Sequence, residues 1–217
     1  MQKCAAHGPH WGNQHFYCAD FSGIPVPPKP QGQPMTLANR TAANAPLTGE
    51  FRFFALDVET ANRNRSSICQ IGIAGVRPDN SIETWSTYVD PVTDDWSCTR
   101  IHGITARTVI GAPLFPQLVP VLDGMLRGLT VYQHSHFDKG AINSACGEAG
   151  LVPPAWKWMD SLIVARRAWP ELRGNGGHGL ASLKTYLKLE FEHHDAEEDA
   201  RAAAEVVLHA ERRHAGA

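Results

Sequence analysis

The chain contains, at residues 51–60, the segment FRFFALDVET, in which a nearly continuous apolar run ends in two acids. An apolar run that is followed by a polar turn, here ANRNRSS, is typical of a buried β-strand. Because side chains alternate along a strand, Asp57 and Glu59 are expected on the same face and close together. Two like charges at a strand end are unfavourable unless a cation or strong hydrogen-bond donors neutralise them. The segment therefore predicts both a strand and a charged site at its end.

The residues that follow predict an α/β fold. The segments ICQIGIAGV (68–76) and SIETWSTYV (81–89) are predicted as the next two strands, and their short spacing favours an antiparallel meander. A further strand is predicted at LTVYQH (129–134). The predicted helices cover residues 114–126, 139–149, 160–168, 179–188 and 195–213. Three paired strands followed by alternating helix and strand predict a mixed β-sheet flanked by α-helices.

Residues 1–50 differ from the rest of the chain because they are rich in Pro, Gly, Asn and His and show little apolar periodicity. The segment IPVPPKPQGQP (24–34) predicts an extended, polyproline-like linker. Four residues near the N-terminus form two pairs whose spacing fits a small Zn²⁺ site: Cys4, His7, His15 and Cys18. Chance pairing in a histidine-rich segment is the alternative. The expected organisation is an N-terminal segment at 1–50 and a folded domain at 51–213.

The composition narrows the possible classes of protein. The 217 residues are enough for one full core, and 20 basic against 22 acidic residues give a net charge of −2. Any nucleic-acid contact must therefore come from a local patch. The five scattered cysteines favour a reduced intracellular protein over a disulfide scaffold. Because no segment approaches the roughly 20 apolar residues of a membrane span, a cytoplasmic protein without a membrane partner is expected.

Two further acids fall at the ends of predicted elements. Asp138 closely follows the strand predicted at 129–134, and Asp199 lies in the first turn of the helix predicted at 195–213. Each acid alone has an ordinary explanation, as a solvated strand end or as a helix cap. Together with Asp57 and Glu59 they supply four carboxylates from three elements. Hard oxygen ligands of this kind hold Mg²⁺ or Mn²⁺, and two such ions can clamp the attacking and leaving oxygens of a phosphoryl transfer.

Other residues of the segment HHDAEEDARAAAEVV (193–207) predict how the helix within it begins and packs. Asp195 is predicted as the N-cap, with Glu198 completing a capping box, and Glu197 is expected to be solvated. A face of small residues is predicted from the spacing of Ala196, Ala200, Ala203, Val207 and Ala210.

Three motifs, DVET (57–60), FD (137–138) and H-x-A-x-x-D (194–199), resemble the exonuclease motifs of the DnaQ-like 3′–5′ exonucleases. The segments ICQIG (68–72) and IHGIT (101–105) also match that family. The resemblance is to the DEDDh group of the ribonuclease H-like superfamily, which includes the proofreading (epsilon) subunit of bacterial DNA polymerase III. It implies a ribonuclease H-like mixed sheet, with the antiparallel meander joined by parallel strands, and an exonuclease domain at 51–213.

The resemblance also implies roles for individual residues. Four carboxylates are expected to bind two Mg²⁺ or Mn²⁺ ions: Asp57, Glu59, Asp138 and Asp199. His194 is expected to act as the general base that takes a proton from the attacking water, since histidine exchanges protons near neutral pH. The family's histidine precedes the helical aspartate by five residues, which selects His194 over His193. The product would be a nucleoside 5′-monophosphate released from the 3′ end of DNA or RNA, most readily from a single strand.

The second motif departs from the family pattern H-N-A-x-F-D, because residues 133–138 read QHSHFD. His134 and His136 are candidate substrate contacts, with the alternative that the backbone satisfies both rings. Val58 and Thr60 are expected beside the terminal nucleotide. Several basic residues could line a path for the strand, although each could also be an ordinary solvated charge: Arg63, Arg65, Arg166, Arg167, Arg173, Lys184 and Lys188.

Two functions from different classes remain open. The favoured one is a metal-dependent 3′–5′ exonuclease, and the other is a nucleic-acid-binding or scaffold module that uses the same fold. The complete set of four acids and one histidine favours the enzyme, because a module that only binds has no need for mutually repelling groups. Nucleic-acid 3′ ends are the expected partner, with a polymerase, a repair protein or a second copy of the chain as further candidates.

Overall fold

The computed structural model describes residues 45–190 and 193–216. Its strands are β1 (Phe53–Thr60), β2 (Ile68–Val76), β3 (Ile82–Tyr88), β4 (Thr130–Gln133) and β5 (Lys157–Asp160). Its helices are α1 (Thr99–His102), α2 (Phe115–Leu126), α3 (Phe137–Glu148), α4 (Ser161–Ala168), α5 (Leu180–Leu187) and α6 (Ala196–Ala215), with a 3₁₀ turn at Pro170–Leu172. The predicted linker and the candidate zinc ligands Cys4, His7, His15 and Cys18 lie outside the described residues.

The strands form one mixed sheet in the order β3-β2-β1-β4-β5. Strands β1, β2 and β3 pair antiparallel in sequence, while β4 pairs parallel with both β1 and β5. The predicted meander and the predicted α/β class are therefore confirmed. Strand β5 was not predicted, because its four residues, KWMD, are too few to show an alternating pattern.

Helices cover both faces of the sheet. One face packs against α2 and α3 through residues such as Phe54 and Leu56, and the other packs against α6 through Ala55. Because alternation continues along β1, Asp57 and Glu59 belong to the series of Ala55 and face α6. Helices α4 and α5 pack on α6. Among the helices of the described residues, none combines the length and the apolar composition that a membrane crossing requires.

The first turn of α6 lies directly against β2. A Cβ atom at Gly72 would lie only 2.0 Å from the backbone oxygen of Ala196, so that only glycine allows this approach. The side-chain oxygen of Gln70 accepts a hydrogen bond from the backbone N–H of Ala196 at 3.3 Å. The predicted small-residue face continues this contact, since Ala200 and Ala203 are buried against the sheet. The contact fixes the start of α6 relative to β1.

The cap of α6 is only partly as predicted. The Asp195 carboxylate accepts hydrogen bonds from backbone N–H groups of the first turn, as expected for an N-cap. Glu198, which was expected to complete a capping box, pairs with Arg201 at 3.0 Å. The carboxylate of Glu198 is therefore directed along the helix, one turn ahead, rather than back to the cap.

Candidate active site

Four carboxylates converge at the carboxyl end of β1. Asp57 and Glu59 are half-buried on the strand, whereas Asp138 and Asp199 are buried in the first turns of α3 and α6. The backbone N–H of Val58 donates a hydrogen bond to Asp138 Oδ1 at 3.1 Å, which joins α3 to β1. The structure thus brings together, from one strand and two helices, the four acids that the sequence selected.

Burial and mutual repulsion raise the pKa values of these carboxylates. Burial raises the pKa of Asp57 well above its ordinary range, and the charges of Asp138, Asp199 and Glu59 raise it further. Burial, with the charges of Asp199 and Asp138, raises the pKa of Glu59 to about 8. Burial raises the pKa of Asp138 to about 7, although the hydrogen bond from Val58 opposes this shift. The cluster therefore requires either protons or a cation for neutralisation.

The donor set fits divalent cations. Glu59, His194 and Asp199 each offer one ligand atom, and these atoms lie within 4.8 Å of one another. The buried Asp199 Oδ1 lies 3.3 Å from His193 Nδ1 but accepts no hydrogen bond in good geometry from the described residues. An oriented, buried carboxylate oxygen of this kind is suited to a hard cation such as Mg²⁺ or Mn²⁺.

The two neighbouring histidines occupy different environments. His194 is exposed in the turn before α6, has a left-handed backbone with a φ of 66°, and donates its backbone N–H to Asp199 Oδ2 at 2.9 Å. His193 is half-buried beside Asp199, and burial lowers the pKa of its imidazole. The side chain of His194 is therefore accessible next to the acids, while His193 lies against one of them. This arrangement agrees with the predicted division of roles, which stays a prediction.

The two candidate substrate histidines also differ. His134 uses both ring nitrogens, with Nδ1 2.9 Å from Ser161 Oγ and Nε2 3.1 Å from the backbone oxygen of His178. Burial lowers the pKa of His134 to about 4, so that its ring is neutral at pH 7. His136 is exposed, with Nε2 3.7 Å from Asp160 Oδ2. The ring of His134 is thus held by groups of the protein itself, which is the alternative to a substrate contact given above. His136, by contrast, is accessible to a substrate.

Val58 and Thr60 were expected beside the terminal nucleotide, but their side chains are buried and therefore not exposed to a substrate. Thr60 Oγ1 donates to the backbone oxygen of Asn62 at 3.0 Å. The backbone oxygen of Thr60 lies 3.0 Å from His102 Nε2, while His102 Nδ1 accepts the backbone N–H of Ile104. His102 is therefore a neutral anchor for the end of β1. Sequence reasoning did not select it, although it lies within the matching segment IHGIT.

Glu197 was expected to be solvated, and this expectation was wrong. Its carboxylate accepts hydrogen bonds from Thr84 Oγ1 at 2.5 Å and from Ser86 Oγ. The two hydroxyls lie on the same face of β3 because they are two residues apart. Glu197 therefore fastens the first turn of α6, which also carries Asp199, to the sheet. The alternating hydroxyls in SIETWSTYV were the only sequence signal for this contact.

Two of the candidate basic residues, Arg65 and Lys188, have different surroundings. The guanidinium of Arg65 lies 5.2 Å from the centroid of the Phe137 ring, directly beside the element that carries Asp138. By contrast, Lys188 lines a separate cavity of about 460 Å³, which includes none of the four acids.

A family model described as Exonuclease (RNase T) matches residues 54–207. The chain belongs to the RNase T exonuclease family. The expected exonuclease family and enzyme class are therefore confirmed. Among curated proteins, the DNA polymerase III PolC-type of Caldanaerobacter subterraneus subsp. tengcongensis is 27% identical over 169 residues, covering 76% of this chain and 12% of the polymerase. The PolC-type enzyme of Clostridium perfringens is 27% identical over 162 residues, covering 71% and 11%. This exonuclease chain thus spans about one tenth of the length of these relatives.

Solved structures show the same fold as this RNase T family domain. The nuclease domain of 3′hExo, described as a DEDDh family member and bound to rAMP, matches with a TM-score of 0.64 at 18% identity, covering 75% of this chain and 92% of that one. Exonuclease X in complex with 5′ overhanging duplex DNA matches with a TM-score of 0.57 at 20% identity, covering 74% and 91%. The predicted ribonuclease H-like sheet flanked by helices is confirmed.

Proposed function

We propose that residues 51–213 form the catalytic domain of a metal-dependent 3′–5′ exonuclease, which hydrolyses the terminal phosphodiester bond of single-stranded DNA or RNA. The observation that carries this proposal is the cluster of four carboxylates with raised pKa values at the end of β1. Membership of an exonuclease family supplies the reaction class. The released product is a nucleoside 5′-monophosphate.

The cofactors we propose are two Mg²⁺ or Mn²⁺ ions, held by the carboxylates of Asp57, Glu59, Asp138 and Asp199. When bound, the ions supply positive charge to the phosphate oxygens and increase the acidity of the attacking water. The protein keeps the ligands in place through the hydrogen bonds from Val58 to Asp138 and from His194 to Asp199. Positions fixed in this way spare the site the reorganisation that mobile ligands would require.

His194 is the general base in this proposal. Its imidazole is exposed at the rim of the carboxylate cluster and can take a proton from water without being buried itself. His193 is unsuited to the same task, because its ring lies half-buried against Asp199. We assign His136, which is exposed two residues before the buried Asp138, to contact with the substrate.

The test is incubation of 5′-labelled DNA and RNA oligonucleotides with the full chain in Mg²⁺, Mn²⁺ or EDTA. We expect a ladder of fragments shortened from the 3′ end in either metal, none in EDTA, and nucleoside 5′-monophosphates as products. Asp57→Asn is the inactive control. If the protein binds the strands but never shortens them, the binding-module alternative replaces the enzyme. The comparison of DNA with RNA also assigns the substrate class.

Because the matching curated proteins are PolC-type polymerases, a polymerase is the partner we propose to test by co-purification.

The zinc hypothesis for the N-terminal segment is tested by metal analysis of the purified full chain against a variant in which Cys4 and Cys18 are replaced by serine. A stoichiometric loss of Zn²⁺ in that variant is the expected result.

A further inference from the structure

Arg65 is an arginine that lies beside the carboxylate site and has no part in the chemistry described above. It stands in the loop between β1 and β2, and its guanidinium lies 5.2 Å from the centroid of the Phe137 ring. Phe137 is 37% exposed, which is high for a phenylalanine, and it directly precedes the buried Asp138. An exposed aromatic ring therefore holds a positive charge next to the element that supplies one of the acids.

The loop that carries Arg65 is held in a defined shape by its own polar side chains. Asn62 Oδ1 accepts the backbone N–H of Asn64 at 2.8 Å, and Ser67 Oγ donates to the backbone oxygen of Asn64 at 2.6 Å. The side-chain amide of Asn62 also donates to the backbone oxygen of Asp95 at 2.9 Å. Because these bonds close the loop on both sides of Arg65, its backbone position is fixed rather than dependent on a ligand.

A glycine on α3 leaves room for the guanidinium. A Cβ atom at Gly140 would lie 2.6 Å from Arg65 Nη1, which is too close for the present position of that side chain. Glycine is among the weakest helix formers, so its presence inside α3 does not serve the helix. Phe137 and Gly140 are three residues apart and therefore lie on one face of α3. Together they form a shallow seat for the arginine.

The charge of Arg65 is available to a ligand. Within the part of the chain that the structure describes, Arg65 forms no ion pair with a carboxylate. By contrast, several other arginines each pair with a carboxylate: Arg52, Arg77, Arg127, Arg201 and Arg213. The planar guanidinium carries five N–H donors in a fixed fork, which matches the oxygens of a phosphate group.

We propose that Arg65, seated on Phe137 and Gly140, binds a backbone phosphate of the nucleic-acid strand outside the scissile bond. The inference rests on the proposed function and adds a contact that holds the strand rather than one that reacts. A single phosphodiester in this position offsets the charge of Arg65 and places the strand along α3, with its end at the four acids.

The first test is the affinity of the full chain for a fluorescently labelled oligothymidylate, measured by anisotropy in Ca²⁺ so that turnover does not interfere. Arg65→Ala is expected to weaken binding about ten-fold, the effect of losing one charge-assisted hydrogen-bonded contact. The slope of log affinity against log salt should fall by about 0.7, as for one lost phosphate contact on a single strand. Arg127→Ala, which removes a charge paired with Asp123, is the control for net charge.

A second variant moves the guanidinium without removing its charge. Gly140→Ala should displace Arg65 and weaken binding several-fold, while the melting temperature does not fall, because alanine favours the helix. Gly147→Ala is the matched control, since it lies in the same helix and a Cβ there meets nothing within 4 Å. Its affinity should equal that of the wild type. This pair separates the position of the guanidinium from any general effect on α3.

A third readout separates the inference from the proposed function. The p-nitrophenyl ester of thymidine 5′-monophosphate has no phosphate beyond the scissile one, so Arg65→Ala should hydrolyse it at the wild-type rate while the KM for the oligonucleotide rises. If the wild type degrades the oligonucleotide and both Arg65→Ala and Gly140→Ala bind it equally well, the role of Arg65 is wrong and the exonuclease stands. A wild type that neither binds nor hydrolyses either substrate rejects both.

Discussion

The backbone N–H of His194 donates a hydrogen bond to Asp199 Oδ2 at 2.9 Å, which ties the turn before α6 to a carboxylate in the first turn of that helix. Since the bond comes from the backbone, it survives replacement of the histidine side chain. The φ of 66° at His194 is a left-handed conformation that Asn, Asp and His tolerate better than other non-glycine residues. The imidazole of His194 can therefore be removed without disturbing Asp199.

His194→Asn tests the general base, because it removes the imidazole and keeps the backbone hydrogen bond to Asp199. We expect kcat to fall about 10²- to 10⁴-fold, the usual contribution of a positioned base. The increase in melting temperature caused by Mg²⁺ should be largely retained, because the four carboxylates and the backbone bond to Asp199 remain even though the imidazole nitrogen is lost. Steady-state hydrolysis of a labelled oligonucleotide and thermal melting in parallel provide the two measurements. His193→Asn is the matched control and should lose less than about ten-fold. A larger loss in His193→Asn than in His194→Asn would reverse the assignment.

Asp57→Asn is expected to make the metal-free protein more stable and at the same time to lower its activity. Burial, and after it the charges of neighbouring acids such as Asp138 and Asp199, make the ionised form of Asp57 unfavourable. Removing its charge should raise the free energy of unfolding of the metal-free protein by about 1–3 kcal/mol at pH 7.5. The same change should lower kcat at least about a thousand-fold, because a ligand for the cations is lost. Denaturant titrations with EDTA and with Mg²⁺ measure both effects. A variant that is less stable than wild type in EDTA would contradict the repulsion argument.

Prediction from sequence succeeded where one local pattern was enough and failed where a contact between distant segments decided the outcome. Asp57 and Glu59 could be placed on one face because strand alternation alone requires it. Glu197 could not be interpreted correctly, since its partners lie more than a hundred residues away on β3. In the same way, Gly72 has no local signal for its role, which is to admit the backbone of α6.

The raised pKa values predict that metal binding releases protons. The pKa of Glu59 rises from its ordinary value near 4.5 to about 8, so between these pH values the metal-free native state holds a proton that the unfolded chain has lost. The free energy of unfolding without metal should therefore fall as the pH rises through this window. Divalent cations displace that proton, and their apparent affinity should rise with pH over the same range.

Calorimetric titration with Mg²⁺ at pH 7, in two buffers of different ionisation enthalpy, measures the protons released. At least about one proton per chain is expected for wild type, because the pKa of Asp57 is raised as well as that of Glu59, and fewer for Glu59→Gln, which cannot ionise at that position. The shift of Asp138 to a pKa of about 7 adds a smaller share. Equal heats in both buffers would show that the acids are already ionised and that the cluster is better solvated than its burial indicates.

Gly72→Ala tests whether the approach of α6 to the sheet positions Asp199. The added methyl group would lie 2.0 Å from the Ala196 oxygen. Neither the helix backbone nor the centre of β2 can move away without a large cost in free energy. Overpacking of this kind should lower the free energy of unfolding by about 1–3 kcal/mol or more. Because α6 must move outward, kcat should fall more than the affinity for the strand. Gly124→Ala is the control, since a Cβ on α2 there meets nothing within 4 Å. Wild-type kcat in a destabilised Gly72→Ala variant would show that Asp199 is held by Glu197 and the turn rather than by contact with β2.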